Sequence, residues 1–254
     1  MFKGCSVYIL MTSVGVLLVA TGKYYSYFFE NLYKSSEKFF LPGTQKTYYV
    51  FTDAINELIV VPENVVIVYQ EWEPFPGPTL HRYKYFDGIS EVLKKHDYLF
   101  YTDVDMLFVD TVTAKDLNPN NKAFVAVVHP GFYKTQNRRG TPETNPKSKA
   151  FIDASVDFEY VAGGFQGGKT KYFLIAICTM KLSIEADLKN NIVPVWHDES
   201  MWNKFVVLNK PNVHFCQPDM CFPQNVGINR NLTEIRSPKL IALDKNHSEV
   251  RKAN

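Results

Sequence analysis

A chain of 254 residues and 29.2 kDa has room for one large α/β domain with a full core. Hydrophobic residues at 46% and charged residues at 21% exclude a fibrous repeat or a long disordered tail. A formal net charge of +2 argues against the basic face that nucleic-acid binding needs.

The first apolar segment, Val7–Ala20, is shorter than the roughly 20 residues of a membrane-spanning helix. It carries Thr12, Ser13 and Gly15, and Lys3 is the only basic residue before it. The sequence reads Val14–Ala20 as a buried first strand, so no stable membrane anchor is expected; an anchor through this segment is the alternative. Tyr24–Phe40 reads as a helix ended by Pro42 and Gly43. Thr47–Thr52 and Val65–Tyr69 are strands, followed by the Pro/Gly-rich loop Pro74–Pro78. Thr79–Lys95 reads as one helix, and Asp97–Thr102 as a buried strand that stops at Asp103-Val104-Asp105. This alternation implies a Rossmann-like, mostly parallel central sheet flanked by helices, with ligands at the carboxyl ends of its strands. Phe124–Val128 is a further strand, and residues 134–150 form a polar loop or lid. Gly163, Gly164, Gly167 and Gly168 punctuate a strand-like stretch. Lys169–Asn190 is a helix, and a last one begins near Asp198. No internal repeat or linker divides the chain. Cys5, Cys178, Cys216 and Cys221 are too few for a disulfide scaffold, which points to reduced thiols and a cytoplasmic location.

Two clusters carry chemistry. Asp103 and Asp105 follow a buried strand, and alternate strand residues point the same way. Paired carboxylates can hold a hard divalent cation that also takes diphosphate oxygens. Trp196-His197-Asp198-Glu199-Ser200 is the densest polar run. Asp198 reads there as the N-cap of a helix over Glu199–Leu208, and a carboxylate at a helix start is also a candidate base or nucleophile. The glycines admit two readings, close approach of a ligand to backbone or an ordinary turn. An aromatic content of 15% is high; rings that stack on bases and sugars are one explanation, and a Tyr-rich core is the other.

Five segments in order resemble glycosyltransferase family 6, the family of the histo-blood-group A and B transferases and the α-1,3-galactosyltransferase. They are Phe100–Met106, His129–Tyr133, Gly163–Gly168, Trp196–Ser200 and Lys245–Arg251, and the resemblance covers nearly the whole chain. It implies a single GT-A catalytic domain over residues 1–254, with a nucleotide-binding half (14–106) and an acceptor-binding half with a basic tail (107–254). It also implies a UDP-sugar donor, a β-galactoside glycan acceptor that can carry fucose, α-1,3 transfer of GalNAc or Gal with retention, and Mn2+ as cofactor. Asp103 and Asp105 match the metal-binding pair, with Asp103 also near the donor. Tyr24 matches the ring on uracil and Arg82 a donor contact. Ala162, Gly163 and Gly164 match the triplet that selects the donor sugar, where Gly at 164 favours GalNAc. His129, Thr141 and Trp196 match acceptor-side positions. His197 and Asp198 match donor-sugar contacts, and Glu199 matches the catalytic carboxylate. Lys245 and Arg251 match tail residues that close over the diphosphate.

The sequence is expected to lack the anchor-and-stem segment of the vertebrate pattern, as in the short bacterial members. It keeps both carboxylates where many bacterial members carry Asn, so metal dependence is expected. Near Phe222-Pro223 it lacks the acceptor-side Asp of the vertebrate members. A non-catalytic nucleotide-sugar or glycan-binding module on the same fold is the alternative function.

Overall fold

The computed structural model describes residues 13–55, 61–118 and 120–252. Strand β1 (Ser13–Val19) is followed by a wide, π-type helical turn (Tyr25–Phe29), which runs into α1 (Glu30–Phe39). Strands β2 (Gln45–Thr52) and β3 (Val65–Tyr69) come next. The expected helix over Thr79–Lys95 is instead three short helices, α2 (Gly77–Leu80), α3 (Arg82–Gly88) and α4 (Ser90–Leu93). They break at His81 and Ile89, whose backbones leave the helical region, and α2 starts within the expected loop. Then follow β4 (Tyr98–Thr102), β5 (Met106–Phe108), α5 (Ala114–Leu117) and β6 (Phe124–Val128). Residues 134–150 carry no helix or strand, as expected. The chain continues with β7 (Val161–Lys169), α6 (Thr170–Lys189), α7 (His197–Asn209) and β8 (Val213–Cys216). It closes with β9 (Phe222–Pro223), β10 (Leu240–Ala242) and the single turn α8 (His247–Val250).

Seven strands form one sheet in the order β3-β2-β1-β4-β7-β6-β8. β3, β2, β1 and β4 are parallel, and β7 runs antiparallel to both β4 and β6. The mixed α/β architecture, with a large central sheet between helices, is GT-A-like. A small second sheet, β5-β10-β9, ties the C-terminal region to the segment after Asp105. The four glycines are therefore strand rather than turn. A Cβ on Gly167 would lie 2.3 Å from the Leu99 carbonyl, so this glycine lets β7 approach its own neighbour β4, not a ligand.

The strands are buried on both faces, which explains their unbroken apolar runs. Val14, Val16 and Leu18 of β1 pack into one cluster with Phe100, while Leu17 packs into another with Leu99 and Tyr101. The first cluster is closed by Leu32 of α1 and by Phe108 and Leu240 of the small sheet. The second is closed by Tyr83 and Phe86 of α3, Phe173 and Ile177 of α6, and Trp202 of α7. Most of the aromatic residues are accounted for in this way. Among the described residues no helix is long and apolar enough to cross a membrane. The part of Val7–Ala20 before Ser13, and Cys5, lie outside the described residues. The described cysteines Cys178, Cys216 and Cys221 are free thiols.

Candidate functional site

A cleft enclosing about 240 Å³ opens at the carboxyl ends of β1 and β4. Tyr24, Arg82, Asp103, Asp105, Lys245 and Arg251 all line it. Parallel strands end together on this edge, so residues just beyond β1 and β4 converge there. β7 enters from the opposite direction. Its pairing sets Phe165 opposite Thr102, and the Asp103 N–H donates to the Gly164 carbonyl at 2.9 Å. Ala162, Gly163 and Gly164 are thereby laid beside the carboxylate of Asp103.

Arg82, at the start of α3, is buried at 5% exposure and holds two acids together. Its Nη1 lies 3.3 Å from Asp103 Oδ1 and 3.2 Å from Asp198 Oδ2. The guanidinium stacks 4.4 Å from the Tyr101 ring centroid, and the Tyr101 hydroxyl donates to Asp103. Arg82 Nε has no protein partner, which leaves a buried donor for a ligand oxygen. Burial pushes the Asp198 carboxyl up to about 7, against the pull of Arg82, with Asp103 and Glu199 adding like charge. Burial acts in the same sense on Asp103, but there Arg82 and Lys245 outweigh it and hold the carboxyl below its ordinary value.

The expected N-cap role of Asp198 is not what the structure shows. Helix α7 begins at His197 with Trp196 as its cap, and Asp198 sits inside the first turn. The Trp196 N–H donates to Ser200 Oγ at 3.0 Å, and the Asp198 carboxylate turns inward to Arg82. His197 adopts φ +52 at this corner, a left-handed conformation that costs a non-glycine residue about 1 kcal/mol or more. Its Nδ1 lies 3.4 Å from Thr79 Oγ1, and its ring meets Phe75 edge-on at 5.2 Å. Burial, followed by the charges of Arg82 and Arg251, holds the imidazole below its ordinary pKa.

Glu199 is fixed from two sides. Its Oε2 accepts the Gly163 N–H at 2.8 Å, and its carbonyl accepts Asn203 Nδ2 at 2.9 Å. Asn203 also exchanges two bonds with the Val161 backbone, at 2.9 and 2.8 Å, clamping α7 onto β7. A Cβ on Gly163 would lie 3.1 Å from Glu199 Cβ, and one on Gly164 3.1 Å from Asp103 Oδ2.

Trp196 and Thr141 meet directly, and His129 packs edge-on against Tyr160, which neighbours both Thr141 and Glu199. Trp196, 47% exposed, donates from Nε1 to Thr141 Oγ1 at 2.7 Å. Glu143 pins the two loops together, accepting Val195 N–H and Asn145 N–H at 2.8 Å each. His129 Nδ1 accepts the Gly131 N–H at 3.0 Å, and burial depresses its pKa while the charge of Glu199 opposes that shift. Buried Tyr160 has Glu199 and Thr141 as the polar neighbours of its hydroxyl.

The tail closes the cleft. Lys245 ion-pairs with Asp105, and its Nζ lies 5.4 Å from the Tyr24 ring centroid. Arg251 stacks on Phe75 at 3.7 Å, Val250 is buried, and Tyr27 donates to Glu249 at 2.6 Å. Oxygen-only carboxylates suit a hard divalent cation, and the ammonium at Asp105 marks a place where a cation is already accepted. Among the described residues no group of three or more His, Cys, Asp or Glu converges. Asp103 and Asp105 would supply part of a shell that diphosphate and water oxygens complete, and on these terms the residues fit the group.

Of the site residues expected from sequence, Tyr24, Arg82, Asp103, Asp105, Lys245 and Arg251 line the cleft; Gly164, His197 and Asp198 touch residues that line it, and Ala162, Gly163, Glu199, His129, Thr141 and Trp196 do not line it. Sequence reasoning missed Trp72, Glu73 and Phe75, which line the cleft, and Tyr101 and Tyr160. Glu73 accepts from Tyr85 at 3.0 Å and contacts His81 Nδ1 at 2.7 Å, which holds the loop on α2 and α3. Two aromatic rings in a loop after a strand's carboxyl end were the available signal for Trp72 and Phe75.

Residues 6–252 match the model of glycosyltransferase family 6. The chain is 32% identical over 250 residues to histo-blood group ABO system transferase 1 of Rattus norvegicus, covering 94% of this chain and 69% of the relative. It is 30% identical over 260 residues to globoside alpha-1,3-N-acetylgalactosaminyltransferase 1 of Gallus gallus, covering 95% and 70%. It is 30% identical over 200 residues to the O-antigen biosynthesis glycosyltransferase WbnI of Escherichia coli, covering 78% and 83%. With its cleft at the strand ends and this match over nearly its whole length, the chain belongs to glycosyltransferase family 6 and uses a nucleotide-sugar donor and a glycan acceptor.

Proposed function

We propose that the protein is a retaining α-1,3-glycosyltransferase that moves GalNAc, in preference to Gal, from a UDP-sugar to a β-galactoside, with Mn2+ at Asp103 and Asp105. The observation that carries this reading is the register that sets Gly163 and Gly164 between Asp103 and Glu199. A hexose held there has the carboxylate of Asp103 on one side and that of Glu199 on the other. The missing methyl at Gly164 leaves room for an N-acetyl group.

In this reading residues 14–106 hold the nucleotide and residues 107–254 hold the acceptor. Tyr24 stacks on the uracil. Arg82 donates to the donor sugar through the nitrogen that the protein leaves unpaired. Asp103 and Asp105 would hold a divalent cation, which would supply Lewis-acid stabilisation of the leaving UDP. Lys245 and Arg251 add positive charge where the negative charge develops. Glu199, oriented by Gly163 and Asn203, faces the anomeric carbon and stabilises its positive charge or attacks it. His197 and Asp198 hold the sugar, and Trp196 offers its exposed face to the acceptor with His129 and Thr141 beside it. The stacked tail excludes water, which limits hydrolysis of the donor. The free thiols of the described cysteines Cys178, Cys216 and Cys221 support a cytoplasmic setting.

The test is a glycan array probed with UDP-GalNAc and UDP-Gal, with Mn2+ or EDTA, and with Glu199→Gln as control. Transfer of GalNAc to β-galactosides that is lost in EDTA and in Glu199→Gln is expected. Preference for UDP-Gal, or full activity in EDTA, overturns that part of the reading. UDP release that does not rise with any β-galactoside would favour the binding module.

A further inference from the structure

We propose that Lys245 is a built-in counter-ion of Asp105 that a divalent cation must displace, so that cation and nucleoside diphosphate bind cooperatively. The proposal rests on the metal-assisted reading above.

Asp105 is 5% exposed, and a buried carboxylate without a counter-charge is costly. The counter-charge is the ammonium of Lys245, paired with Oδ2. This contact is built in at both ends. Upstream, the Leu243 N–H donates to the Asp105 carbonyl at 3.0 Å, and Gln224 Oε1 accepts the Asp244 N–H at 2.9 Å. The backbone leading to Lys245 is therefore tied to the residue its side chain neutralises. Downstream, the tail is seated by buried Val250, by Tyr27 on Glu249 and by Arg251 on Phe75. The last contact is with Gly22, at φ +59, where a Cβ would lie 2.5 Å from the Lys252 carbonyl; any other residue would push the tail away.

An ammonium and a divalent cation cannot share one carboxylate oxygen without strong repulsion. With Lys245 on Oδ2, a cation arriving alone at this carboxylate is opposed by the ammonium and binds more tightly once it has moved away. The ammonium has a flexible four-carbon stem, and it lies in the same cleft as Tyr24 and Arg251. A diphosphate in that cleft offers it another partner, and accepting that partner releases Asp105 for the cation. By linkage the cation must then favour the diphosphate by the same factor. Lys245 would thus delay cation binding until the nucleotide is present, in addition to any contact it makes with phosphate.

The experiment is a titration of the full chain with Mn2+, followed by the EPR signal of the free ion, with and without UDP. Wild type, Lys245→Met and Lys245→Arg are compared, with thermal melting to verify folding. Lys245→Met is expected to bind Mn2+ alone about tenfold more tightly than wild type and to show a correspondingly smaller gain from UDP. Lys245→Arg, which keeps the cation, should stay close to wild type. Equal or weaker binding of Mn2+ alone by Lys245→Met, or an unchanged UDP gain, overturns the proposal and leaves the metal reading standing. No binding of Mn2+ by wild type with or without UDP removes both.

Discussion

Replacing Arg82 with Met removes a cation that lies within 3.3 Å of both Asp103 and Asp198. The methionine keeps an apolar stem against Tyr101, so the loss is mainly electrostatic. Breaking a buried ion pair on one side costs about 3–5 kcal/mol, because a carboxylate stays behind in a site of low polarity. Asp198 is already pushed up to about 7 with Arg82 present, and without it the carboxyl rises further. A group whose pKa is raised on folding binds its proton more tightly in the folded state. Stability therefore falls as pH rises from the ordinary carboxyl range through the folded pKa. The penalty of Arg82→Met, measured against wild type at the same pH, should be largest near pH 8 and clearly smaller near pH 5.5. Adding Asp198→Asn removes one of the stranded charges, so the double variant should be more stable than Arg82→Met alone. Urea unfolding at the two pH values gives all four corners of the cycle. A penalty independent of pH, or additivity within about 0.5 kcal/mol, would refute the reasoning.

Gly164→Ala places a methyl 3.1 Å from Asp103 Oδ2 and 3.5 Å from Cys221 Sγ, on the side proposed for the N-acetyl group. The ratio of kcat/KM for UDP-GalNAc over UDP-Gal should fall by roughly tenfold or more, within the discrimination a pocket of this kind allows; an unchanged ratio contradicts the assignment. Asn203→Ala strands the N–H and carbonyl of Val161 in the core and should cost about 2–4 kcal/mol by chemical denaturation. His129 accepts a backbone N–H through Nδ1, and its pKa is lowered by burial. Its contribution to stability is present above the ordinary histidine pKa near 6.5 and is lost as pH falls through the lower folded value. The fall in Tm between pH 7 and pH 5 should be shallower in His129→Gln, and an equal slope would show that His129 does not carry it.

Much of the scaffold was legible because its signals are local. β1, β2, β3, β4 and β6 are apolar runs bounded by turn residues, and α6 is a long stretch without Gly or Pro. Asp103 and Asp105 stood out because they end such a run. The helix expected over Thr79–Lys95 was misread because most of its residues suit a helix; the turn pair Asp87-Gly88 precedes the break at Ile89, while no turn residue marks the break at His81. Its breaks at His81 and Ile89 separate pieces with different packing partners, α2 against α7 and α3 against α6. Asp198 was misread for a related reason. A carboxylate near a helix start is ordinarily a cap, and only the buried guanidinium of Arg82, distant in sequence, draws it inward.

By itself the sequence determined the alternation of strands and helices, the edge of the sheet where a ligand would sit, and the residue types available there. These follow from periodicity, turn chemistry and hydrophobic runs, all properties of neighbours along the chain. The tertiary structure alone decided which of those residues meet. Because β7 runs against β4, its first residues rather than its last reach the carboxyl edge, and Gly163 and Gly164 fall between Asp103 and Glu199. Because β10 pairs with β5, the tail returns to the segment after Asp105, and Lys245 comes to rest on that carboxylate. Such contacts depend on the direction and order of strands in the sheet. Hydrogen bonding across the sheet and burial of both its faces fix that arrangement, and no local pattern encodes it.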